Sequence, residues 1–170
     1  MFSAKYCDFL KVYHTNELLV SDKYDFIRGS LDGEIEVLED FTFTSYFKNY
    51  YAENEKPYKM DLKKGMKGVL EIKTTNVLSS MSKEKWHNAI PENYYIQILH
   101  YLNITKYDFV ILVAELSWED KNGVETEERR YYGFLAKDKQ EDLEYLEKEI
   151  VKFWNENILK EQEPALKLNI

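Results

Sequence analysis

The chain contains a single cysteine, Cys7, among 170 residues. One thiol excludes a disulfide framework, a cysteine zinc site and a four-cysteine iron–sulfur cluster built within the chain. A reducing, intracellular setting fits this scarcity. Histidine is nearly as rare. His14, His87 and His100 are scattered and share no metal-ligand spacing, so no zinc site is expected. No run of about 18 apolar residues occurs, so no membrane-spanning helix is expected. The start, MFSAKYCDFLKVYH, lacks the basic-then-apolar order of a secretory signal. Positive charge is short as well. Lys+Arg number 23 against 31 Asp+Glu, a formal net charge of -8. That argues against a surface coated for non-specific nucleic-acid binding. It leaves room for a local site with a few cations and a bound metal ion. Internal repeats and low-complexity tracts are absent.

What remains is an ordinary globular composition. The hydrophobic fraction is 44% and the aromatic fraction 15%, well above the composition of a disordered chain. At 20.4 kDa the chain is long enough for one domain with a sizeable core, expected over 1–170.

Periodicity predicts the elements. ELLV and YDFIRG read as short strands, and SLDGEIEVL as a third that alternates after Gly33. Residues 39–67 are aromatic early, then polar, with Pro57 and Gly65 as breakers, and are expected to form an irregular insertion that includes one strand. GVLEIK is a strand. SKEKWHNAI is a short helix or a loop. PENYYIQILHYLNIT opens on Pro91, which suits a helix start. YDFVILVAEL is a strongly apolar, central strand, and Asn122-Gly123 is a hairpin turn leading into ERRYYGFLA. From Asp138 to about Lys160 the pattern is helical, with Leu143, Leu146, Ile150, Phe153 and Trp154 on one face. The sum is an α/β (α+β) core: a mixed central sheet flanked by helices.

Three short patterns carry potential chemistry. In the strand GVLEIK, Val69, Glu71 and Lys73 share one face, while Leu70 and Ile72 are expected to point into the core. Taken alone, a solvated sheet face is the more common account of such a pattern. A carboxylate for a divalent metal beside an ammonium for water or phosphate also needs both groups on one side. Upstream, Asp32 stands in Gly29-Ser30-Leu31-Asp32, just before Gly33. Asp-Gly is a common turn pair, and Asp32 is equally a candidate second carboxylate ligand. In the helix after Pro91, Gln97 and Tyr101 are four apart and share one face.

Together and in this order, the patterns resemble the PD-(D/E)XK nuclease superfamily. The RecB-like, YqaJ-like branch of viral recombinases, the phage lambda exonuclease type, is the most similar. The motifs are Gly29-Ser30-Leu31-Asp32, Glu71-Ile72-Lys73 and Gln97-Ile98-Leu99-His100-Tyr101, and the likeness runs from about Ile27 to Pro164. The resemblance implies a restriction-endonuclease-like core. It implies that Asp32, Glu71 and the carbonyl of Ile72 bind Mg²⁺ or Mn²⁺. Lys73 would position or activate the attacking water, and Gln97, with Tyr101 beside it, would support the site. The reaction implied is hydrolysis of DNA to leave a 5′-phosphate. The lambda type digests one strand of duplex DNA from its 5′ end, as a ring-shaped homo-oligomer, and hands the tail to a single-strand annealing protein. A cytoplasmic, bacterial or phage-encoded protein is expected.

The sequence departs from the pattern in two places. The 39–67 insertion is longer than a compact hairpin, and its Lys63, Lys64 and Lys67 are candidate phosphate contacts, as are Arg129 and Arg130. Only 28 strand-like residues precede Gly29, where relatives carry helices with a further acidic residue. A DNA-binding module inactive by itself, or a structure-specific endonuclease, would carry the same motifs. Trp86 and the tyrosines are expected in the core rather than on bases.

Overall fold

A computed structural model describes residues 5–14, 16–48, 57–77, 84–87, 89–120 and 122–164. The central sheet has five strands. They are β1 (Leu10–Tyr13), β4 (Gly33–Val37), β7 (Lys67–Asn76), β8 (Phe109–Glu119) and β9 (Glu125–Leu135), in the order β1-β4-β7-β8-β9. Only β7 and β8 run parallel; the other pairs are antiparallel. A parallel pair needs a long crossover, and α1 (Glu92–Thr105) lies in that connection. The short strands β2 (Leu19–Val20) and β3 (Arg28–Gly29) pair with each other.

β8 explains the two-sided core. Its apolar run is buried on both faces, as expected of an interior strand. Val110, Leu112, Ala114 and Leu116 join Ile98, Leu99 and Leu102 of α1 and Leu143 of α2 (Gln140–Phe153). Phe109, Ile111 and Val113 join a second cluster with Phe43, Met60 and Leu62. That second cover is the correction to the insertion. Its described parts are strands: β5 (Phe41–Lys48) and β6 (Pro57–Leu62) form an antiparallel pair, with a register shift between Thr44 and Lys48. The alternation Phe41, Phe43, Ser45 against Thr42, Thr44 turns one side inward, and Pro57 sits at a strand's first residue, where its missing N–H is tolerated.

The closing helix begins with a 3-10 turn (Ala136–Lys139) and ends in a π turn (Trp154–Ile158). Leu143 is buried, and Trp154 stacks on Phe26 with centroids 4.4 Å apart. Phe153, expected on the same stripe, is 46% exposed instead, because it falls at the flank of that stripe. The helix or loop expected over 82–90 lies partly outside the described residues.

Candidate active site

The ladder between β4 and β7 stops at Gly33↔Leu70. On its other edge β7 stays paired with β8 as far as Asn76↔Ser117. The sheet therefore forks at Ile72. In a continued ladder the Ile72 N–H would donate to a backbone carbonyl. It donates instead to Asp32 Oδ2, at 2.8 Å. A residue's N–H and C=O point to the same edge of a strand, so the Ile72 carbonyl lies on this open edge, beside Asp32. The fork, not a turn alone, is the physical use of Asp32.

β7 changes character at the fork. Leu70 is buried in the cluster under β5 and β6. Ile72, two residues on, has lost that cover and is 44% exposed. The expectation that Ile72 anchors the strand in the core is thus corrected; its side chain faces solvent. Glu71 is the opposite surprise for a charged residue. It points to the α1 face and is 1% exposed. An ion pair joins it to Lys73, and its Oε2 has no hydrogen-bond partner. A buried, unsatisfied carboxylate oxygen costs about 1–3 kcal/mol or more. Burial is the main cause that raises the Glu71 pKa; the nearby Asp32 raises it further, and Lys73 pulls it down.

The lysine is held from a second side. Its Nζ lies 5.0 Å from the centroid of the Tyr94 ring, within the range of a cation–π contact. Tyr94 was not among the sequence candidates. Its spacing was a usable signal, since it lies three residues before Gln97 on the same helix. Gln97 Nε2 donates to Tyr101 Oη at 2.8 Å, so its amide bonds along the helix. Tyr101 and Ile104 press on Gly29, where an added Cβ would meet both at 3.0 Å. His100 Nε2 lies 2.9 Å from the Arg28 carbonyl. α1 thus holds the chain just before Asp32, and the glycine of that motif permits the approach.

The two carboxylates, the Ile72 carbonyl and Lys73 come together; the candidate phosphate contacts do not join them. Lys63 and Lys64 stand in the turn between β6 and β7, and Lys67 is the first residue of β7. Lys73 lies six positions after Lys67, about 20 Å along the strand. Lys63 pairs with Asp40 at 3.0 Å. Arg129 pairs with Glu115 at 2.6 Å, opposite Thr74 on the other face of the sheet. Arg130 is 4% exposed and bound to Glu128, so it is an internal cation rather than a surface phosphate contact. A groove of about 550 Å³ between α1 and α2 contains none of the candidates.

The donor set suits a hard divalent ion. It offers carboxylate and carbonyl oxygens, one of them buried and unpaired, and Mg²⁺ accepts one or two carboxylates with water completing its shell. Among the described residues, no three His, Cys, Asp or Glu side chains gather as a metal cluster.

A family model for the YqaJ-like viral recombinase domain matches residues 2–108. The chain belongs to that family. No curated protein and no solved structure matches the chain. The matched span holds Asp32, Glu71, Ile72, Lys73, Gln97 and Tyr101. Membership of the YqaJ-like family points to a nuclease role in viral recombination, with DNA as substrate. No helix among the described residues is long and apolar enough to cross a membrane.

Proposed function

We propose that this YqaJ-like protein is a Mg²⁺- or Mn²⁺-dependent deoxyribonuclease that degrades one strand of duplex DNA from its 5′ end. The observation that carries the chemistry is the buried Glu71 carboxylate with one oxygen unpartnered, beside Asp32 and Lys73. The 5′ polarity, a ring-shaped homo-oligomer and an annealing-protein partner rest on the family resemblance.

Asp32, Glu71 and the Ile72 carbonyl would hold the ion. When bound, the ion supplies Lewis-acid charge to the scissile phosphate. Lys73 would orient the attacking water and balance negative charge developing on the phosphate oxygens. Gln97 and Tyr101 would keep α1 seated against the Arg28–Asp32 segment. The exposed Ile72 side chain has no part in the chemistry.

The test is cleavage of linear duplex DNA labelled separately at its 5′ and 3′ ends, with Mg²⁺, Mn²⁺ or EDTA. Metal-dependent loss from the 5′ end, with closed circles spared, is the expected result. Lys73→Ala and Asp32→Asn should each lower the rate by about 10²-fold or more. Cutting of closed circles would make the protein an endonuclease. A DNA-binding module inactive by itself would carry the same residues. Mn²⁺ binding without cleavage would select that reading.

A further inference from the structure

The sheet register sets two rows of side chains on the α1 face. One runs Glu71↔Leu112↔Tyr132 and the other Lys73↔Ala114↔Arg130. Two strand spacings, about 10 Å, separate the ends of each row. Ala114, buried and small, lies between Lys73 and Arg130 in its row, and Trp86 belongs to the same core cluster. Trp86 is itself 3% exposed.

Its backbone is clamped from β9. Arg130 Nη1 donates to the Trp86 carbonyl at 2.8 Å, and Tyr132 Oη donates to the same oxygen at 2.5 Å. Arg130 also donates to Glu128 from Nε and Nη2, at 2.6 and 2.9 Å, and lies 4.8 Å from the Tyr46 ring centroid. Burying a guanidinium is expensive, and an apolar residue of similar size would often serve stability as well. Trp86 in turn stacks on Tyr94, with centroids 5.4 Å apart and planes 29° apart. Tyr94 carries the Lys73 ammonium. The contacts are continuous from β9 to the lysine of the E-x-K strand.

We propose that Trp86, pinned through its carbonyl by Arg130 and Tyr132, is a positioning residue that sets Lys73 by way of the Tyr94 ring. The functional part rests on the nuclease reading above; the geometric part does not. The ring face limits where the ammonium can sit. The indole limits where the ring can sit. The double hydrogen bond fixes the indole's backbone to β9 of the central sheet. Reacting groups lose rate steeply with displacement, so a buried clamp at this distance has a use that stability alone does not demand.

Two measurements test it. Proton–carbon NMR of lysine-labelled protein should show the Lys73 ε-methylene shifted upfield by the Tyr94 ring current. The shift should vanish in Tyr94→Leu, persist in Tyr94→Phe, and shrink in Trp86→Leu. Steady-state cleavage should show kcat lowered roughly ten- to a hundred-fold in Tyr94→Leu and Trp86→Leu, with KM for DNA and affinity for Mn²⁺ unchanged. Tyr94→Phe and Trp86→Phe should recover most of the rate. Combining Trp86→Leu with Tyr94→Leu should cost no more than Tyr94→Leu alone. If Trp86→Leu does not fold, the Tyr94 pair and Trp86→Phe still decide. A wild-type Lys73 signal without the upfield shift overturns the proposal, whether or not the protein cleaves DNA. A wild-type protein that shows the shift but does not cleave removes the nuclease reading and leaves the geometry standing. Active wild type with an unchanged kcat in Tyr94→Leu overturns the positioning role alone.

Discussion

Glu71 concentrates the energetic tension of this molecule. It is buried, has an unpartnered oxygen, and its pKa lies above the ordinary 4.5 because burial outweighs the help of Lys73. A raised folded-state pKa means that the folded state holds the proton more tightly than the unfolded one. The contribution of Glu71 is therefore fully present below about pH 4.5 and is lost as pH rises through the raised value. At pH 7.5 in EDTA, Glu71→Gln should melt above the wild type, by about 2–4 °C for each kcal/mol relieved. That gain should shrink as the pH approaches 4. Mn²⁺ should raise the wild-type melting temperature by mass action and leave the variant unmoved. A variant that melts below the wild type in EDTA would show Glu71 to be a stabilising ion-pair partner instead. Ile72 supplies the contrast. Its side chain is exposed while its carbonyl edges the fork. Ile72→Thr should change stability by less than about 0.5 kcal/mol and leave Mn²⁺ affinity intact, as calorimetric titration would show. The types and spacing of Asp32, Glu71 and Lys73 could be read from the chain. The burial of Glu71 could not, because an alternating strand does not reveal which face a helix will cover.

Among the elements, β9 and the β5–β6 pair show how much depends on contacts distant in sequence. Gly133 on β9 donates its N–H to Ser45 Oγ at 2.9 Å. An added Cβ there would meet Met60 Cε at 2.7 Å and the Val110 carbonyl at 2.8 Å. The methionine can move; the carbonyl belongs to an interior strand. Gly133→Ala should therefore destabilise the protein by about 1–3 kcal/mol, and adding Met60→Ala should not restore it. Thermal melts would measure the loss, and hydrogen exchange should show faster opening of β5 and β6. Full stability in Gly133→Ala would mean that the hairpin is only loosely seated. The apolar run of β8 and the helical stripe after Pro91 were plain in the sequence, since both repeat with the period of their element. The hairpin was not. Its inward side alternates over only a few residues, and its partner on β9 lies some 90 positions away, as Ser45 and Gly133 show.

On the scale of the whole molecule, charge sets the terms of DNA binding. The net charge is -8, and several cations are already paired: Lys63 with Asp40, Arg129 with Glu115, Lys23 with Glu147. Few phosphates can then be neutralised directly. A plot of log affinity against log salt should have a slope no steeper than about -4, corresponding to a handful of phosphate contacts. Binding should weaken further when EDTA removes divalent ions. Fluorescence anisotropy with a labelled duplex between low and moderate salt would measure both, and a slope near that of a strongly basic binder would refute the expectation. The sequence by itself determined the mixed α/β class, the strand and helix that carry the motifs, and the residue types of the site. Local periodicity and side-chain chemistry suffice for those. Only the tertiary structure decided that β4 stops short of Ile72, that Glu71 is buried while Ile72 is not, and that Arg130 turns inward to hold Trp86. Each of these depends on which strand lies beside which, and where a ladder ends is a property of the packed sheet rather than of either strand.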